Sequence, residues 1–78
     1  MYYVNICNQT DKDLFYKCLE KLKKTKGFKM QDKVLEDVDG SLYAIFKYGE
    51  GKVILKNDEE IGALFIESDN NIENVVCK

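Results

Sequence analysis

The sequence predicts an α+β fold: one N-terminal amphipathic helix packed on one face of a mostly antiparallel sheet of about five to six strands, in the order β-α-β-β-β-β-β. Three observations predict it. Tyr2 to Cys7 (YYVNIC) is rich in β-branched and aromatic residues, a strand composition. Leu14, Phe15, Cys18, Leu19 and Leu22 then recur at three- and four-residue spacing, the period of a helix face. After Gly27 the period becomes that of strands, punctuated by Asp39-Gly40 and Gly49-Glu50-Gly51, both of which read as hairpin turns.

The helix is expected over residues 11–26. Thr10 stands at the N-cap position with Asp13 three residues on, a capping-box arrangement. Asp11 and Asp13 in the first turn and Lys21, Lys23, Lys24 and Lys26 in the last suit the helix dipole, and Gly27 supplies the stop.

Lys33 to Val38 and Ser41 to Tyr48 are expected to pair around a two-residue Asp39-Gly40 loop. That loop sets Val38 opposite Ser41, Leu35 opposite Ala44 and Val34 opposite Ile45. A second loop, Gly49-Glu50 or Glu50-Gly51, leads into Lys52 to Lys56. Asn57-Asp58-Glu59-Glu60 reads as a connecting turn. A last hairpin is expected from Ile61 to Glu67 and Ile72 to Cys77, although residues 58–67 would also tolerate a short helix.

The chain of 78 residues is expected to be a single domain spanning 1–78. Its composition excludes much chemistry. There is no His, so the usual proton-transfer residue and the commonest metal ligand are missing. All 12 basic residues are lysine, which removes the arginine fork favoured for phosphate and guanine. No enzyme activity, cofactor or metal is expected. Cys7, Cys18 and Cys77 are an odd number in no metal or redox spacing and read as reduced thiols. No secretory signal or membrane-spanning run is expected, so the expectation is a cytoplasmic protein. The Lys-, Asn- and Ile-rich composition fits an AT-rich genome and is compatible with a phage or mobile-element origin.

Two motifs invite chemistry and fail on spacing. Gly49-Glu50-Gly51-Lys52 lacks the Walker A spacing and its following Ser or Thr, and Val53-Ile54-Leu55 after it read as a strand, not a helix. Glu36, Asp37, Asp39 and Gly40 resemble a fragment of a calcium loop, with Glu50 at the twelfth position from Asp39. An intact strand between them defeats that geometry.

The functional clue lies in the faces. On the expected register Leu35, Leu42, Ala44, Phe46, Tyr48, Val53 and Leu55 share the helix face. Val34, Val38, Tyr43, Ile45 and Ile54 look the other way, where a solvated sheet face should be polar. Leu64, Ile66, Val75 and Cys77 align on one side of the last hairpin, Phe65 and Val76 on the other. The leading expectation is a small protein-binding module, a regulator or inhibitor that occupies a partner's surface. Its sheet face or edge would act through Val34, Tyr43, Ile45, Ile54 and the strand-end Tyr48. The alternatives are a nucleic-acid-associated accessory protein using Lys21, Lys23, Lys24, Lys26 and Lys29, or a homodimer in which the face is structural. A net charge of -2 argues mildly against general nucleic-acid binding.

Overall fold

Extended residues Tyr2–Cys7 form β1, and Lys12–Lys24 form the helix α1. The strands that follow are β2 (Phe28–Met30), β3 (Leu35–Glu36), β4 (Leu42–Tyr48), β5 (Gly51–Asp58) and β6 (Ala63–Ser68). In this computed structural model, which describes residues 2–31 and 33–70, they make one six-stranded sheet. The order is β1-β6-β5-β4-β2, β3 also pairs β4, and every pairing is antiparallel. The α+β class and strand-helix-strands order are as the sequence predicts. The expected strand Ile72–Cys77 lies outside the described residues, and β6 is flanked on both sides, by β1 and β5.

Because β1 and β2 lie at opposite margins of this order, α1 must carry the chain across the sheet. Its 13 residues make about 20 Å of helix, against about 19 Å across a path of five strands. That match lets one helix cover one face. Phe15, Leu19 and Leu22 pack there against Leu42, Ala44, Phe46, Val53, Leu55 and Leu64, all buried.

Four details differ from the sequence reading. The N-cap is Asp11, not Thr10: the Leu14 N–H donates to Asp11 Oδ1 at 3.1 Å. Thr10 instead donates to Glu59 Oε1 at 3.3 Å. The helix ends at Lys24, with Thr25 as C-cap donating through Oγ1 to the Lys21 carbonyl at 2.7 Å. Gly27 lies beyond, at φ +93°, where an added Cβ would meet the Tyr48 ring at 3.0 Å. It admits β2, a strand too short to leave a period in the sequence.

The third difference reverses a face. Asp37 N–H donates to the Ser41 carbonyl at 2.9 Å, and Gly40 N–H to the Asp37 carbonyl at 3.0 Å. The loop is therefore three residues, Val38-Asp39-Gly40, with Gly40 at φ +92°, the glycine position of a bulged hairpin turn. Leu35 consequently pairs with Tyr43 and Glu36 with Leu42. One residue of slip exchanges the faces of β3, so Val34 packs on the core and Leu35 is 42% exposed.

The fourth concerns the β5–β6 connection. Asn57 and Asp58 end β5, residues 59–62 turn, and Gly62 N–H closes the turn on the Asp58 carbonyl at 2.7 Å. Ala63–Ser68 is strand, not helix. The β4–β5 loop is Gly49-Glu50, since Tyr48 pairs with Gly51.

Candidate functional site: the sheet face opposite the helix

Among the described residues, no helix packs on the second face of the sheet, and the register sorts its side chains into rows. Leu35, Tyr43, Lys56, Phe65 and Asn5 stand side by side across β3, β4, β5, β6 and β1. The next row is Ile45, Ile54, Glu67 and Tyr3. A third row, toward the β4–β5 turn, is Lys29, Lys47 and Lys52.

The first two rows form an apolar and aromatic patch around one ion pair. Lys56 Nζ lies 2.8 Å from Glu67 Oε1, with both side chains largely buried. The same ammonium sits 5.9 Å from the Tyr43 ring centre and 6.0 Å from that of Phe65, within cation–π range. Phe65 and Tyr3 have ring centres 6.2 Å apart. With Asn5 and Ile61 they line a shallow cleft of about 270 Å³. Tyr3 and Ile61 are 65% and 67% exposed.

Of the five contact residues expected from sequence, Tyr43, Ile45 and Ile54 come together here. Val34 and Tyr48 do not. Val34 follows the register change of β3 to the core side. Tyr48 alternates with Phe46 on the helix side and stacks on Phe28, ring centres 4.4 Å apart. Tyr3, Leu35 and Ile61 complete the patch and escaped the sequence reading. Tyr3 and Phe65 meet because β1 pairs β6 across some sixty residues of chain, a non-local pairing that leaves no local pattern.

Charge divides the molecule along the strands. Lys29, Lys47 and Lys52 lie at one end, where the last turn of α1, with Lys21, Lys23 and Lys24, also arrives. Asp37, Asp39, Asp58, Glu59 and Glu60 lie at the other, together with Asp11 at the start of α1. The division has exceptions: Glu50 and Asp69 sit at the basic end and Lys12 at the acidic one. Lys23 pairs with Glu20 at 3.4 Å. Lys29, Lys47 and Lys52 are exposed and form no ion pair among the described residues. The lysine cluster read from sequence is thus divided: Lys29 turns onto the open face, beside an open groove of about 630 Å³ lined by Gly27, Gln31, Lys47 and Gly49.

The acids near the β3–β4 turn build the turn. Asp39 accepts the Ser41 N–H at 2.9 Å, and the Ser41 backbone and hydroxyl hydrogen bonds hold its carboxyl below the usual range. Among the described residues no cluster of His, Cys, Asp or Glu has metal-binding geometry, and no helix is long and apolar enough to cross a membrane. Cys7 and Cys18 are free and partly buried, and burial pushes the Cys18 thiol up against the opposing effect of Lys21. Cys77 lies outside the described residues. Comparison with known proteins returns no matching family model, no similar curated protein and no similar solved structure.

Proposed function

We propose that this chain is a non-enzymatic protein-binding module, a regulator or inhibitor that acts by occupying a partner's surface with the sheet face opposite α1. One observation carries the reading: Tyr3 and Leu35, exposed, lie contiguously with half-buried Tyr43, Ile45 and Ile54 and buried Phe65 on a face that no described helix covers. Solvated antiparallel faces alternate with polar residues, and contiguous apolar patches mark interaction sites. Tyrosine contributes large contact area at low entropic cost. The small size of the domain and the absence of histidine from its sequence support a non-catalytic role.

The test compares three proteins in affinity capture from the native host: wild type, Ile45→Asp and the helix-surface control Lys24→Glu. The wild type and Lys24→Glu retain the same partner and Ile45→Asp loses it, with circular dichroism unchanged. Equal recovery by all three overturns the reading.

A second reading is nucleic-acid association through Lys21, Lys23, Lys24, Lys26 and Lys29. It gains support from Lys47 and Lys52, which extend the basic end beside Lys29. It requires oligonucleotide binding that falls steeply with added salt.

A further inference from the structure

We infer that the open face is self-complementary, and that in the absence of another partner it is occupied by a second copy of this chain, stacked face to face with the strands of the two copies antiparallel. The inference rests on reading that face as a protein interface, and it names one occupant.

Charges follow an order along the strands. On β5 the open-face residues run Lys52, Ile54, Lys56, Asp58, from basic through apolar to acidic. Strand β4 repeats the order, with Lys47, Ile45 and Tyr43 leading to the Asp39 turn, whereas β6 carries Glu67 toward the basic end; Glu59 and Glu60 follow Asp58 in the acidic turn. Ser41 Oγ accepts the Glu59 N–H at 2.9 Å, which brings the β3–β4 and β5–β6 turns together at the acidic end.

Two limiting two-fold axes can stack such a face on itself. An axis along the strands sets Lys47 and Lys52 over the same lysines of the second copy. An axis across the strands sets them over Asp58, Glu59 and Glu60. The second arrangement also lays the Tyr43–Lys56–Phe65 row over Ile45, Ile54 and Glu67, so Lys56 of each copy approaches Glu67 of the other. Isologous interfaces need this self-matching, and opposed potentials select it.

The lysine row adds a second argument. Lys47 stands directly opposite both Lys29 and Lys52, and like charges facing each other destabilise a sheet. Carboxylates placed over the row relieve that repulsion. A nucleic-acid strand would meet the basic row too, but it would also lie over Glu67 and Asp58.

Area sets the strength. The face spans about 19 Å across the strands and about 23 Å along seven residues, roughly 440 Å² in projection per copy. Both copies together, about 880 Å² in projection, fall below the standard size of a specific interface, in the range of weak, transient association.

Sedimentation velocity of the whole chain from about 1 to about 200 µM tests this over the range of weak association. The wild type shifts from 9.1 kDa toward twice that mass as concentration rises, and raising salt weakens the association. Lys47→Glu/Lys52→Glu and Glu59→Lys/Glu60→Lys each weaken self-association at least about tenfold. Mixing the two variants restores a heterodimer, since both charge contacts are then opposed again. A wild type that stays monomeric throughout, or a dimer unmoved by either pair of substitutions, overturns the inference. If either variant loses its circular dichroism signal, the salt dependence of the wild type decides: an association that salt strengthens or leaves unchanged overturns the inference. A wild-type monomer whose Ile45→Asp variant alone loses a captured partner defeats the dimer and leaves the docking reading standing.

Discussion

Asn57 Oδ1 accepts the backbone N–H of Asp11 at 3.0 Å, and through this bond the end of β5 fixes the start of α1. Asn57 is fully buried on the helix side of the sheet, and among the described residues its Nδ2 has no partner. The anchor explains why the helix begins at Asp11: the cap's own N–H is held by the sheet while its carboxylate holds the Leu14 N–H.

Asn57→Ala should therefore cost about 1–2 kcal/mol, because it orphans the Asp11 N–H while also removing the unpaired Nδ2. Asn57→Asp keeps the acceptor but buries a carboxylate near Asp11, so its deficit at neutral pH should exceed that of Asn57→Ala and shrink in acid as the carboxyl protonates. Urea unfolding at two pH values measures both effects.

Deleting Val38 should leave β3 in register. The side chain of Val38 is fully exposed within the three-residue loop, and its removal leaves Asp39-Gly40 as a two-residue turn between Asp37 and Ser41. Leu35 stays opposite Tyr43, and stability changes by no more than about 0.5 kcal/mol. A cross-strand nuclear Overhauser contact between Leu35 and Tyr43 in the shortened chain checks the register.

That loop also marks the limit of what the sequence discloses. An Asp-Gly pair serves a two-residue turn and a bulged three-residue turn equally well, and the choice alone exchanges Val34 and Leu35 between core and surface. Where periodicity or strict alternation is sustained, as from Leu14 to Leu22 or along β4 and β5, the faces are readable because burial acts on every turn or every second residue. Tyr3 joins Phe65 only through pairing of distant strands. The charge polarity depends on which end of the sheet the helix starts from, and a net charge of -2 averages it away.

The β3–β4 turn should loosen in acid. The hydrogen bonds from Ser41 depress the Asp39 carboxyl in the folded chain below its unfolded value. Their contribution is present above the unfolded value and is lost as pH falls through the folded one. In an NMR titration the Ser41 amide should follow that protonation with a midpoint below the ordinary carboxylate range. Asp39→Asn should abolish the acid transition at this amide.

Lys56 and Glu67 should show strong mutual dependence. Their side chains are 24% and 15% exposed, so neither charge is well solvated once its partner is removed. Glu67→Leu leaves the ammonium beside the Tyr43 and Phe65 rings, and Lys56→Met leaves the carboxylate between Ile54 and Tyr3. Each single change should cost about 1–3 kcal/mol. The double variant Lys56→Met/Glu67→Leu should recover much of that loss, because it replaces both charges with apolar groups on an already apolar patch. A double-mutant cycle in urea reads a coupling of about 1 kcal/mol or more, whereas additivity within about 0.3 kcal/mol would mean that the two groups act independently. The double variant should still carry the docking patch, now without its only central charges, and so should associate with less dependence on salt than the wild type.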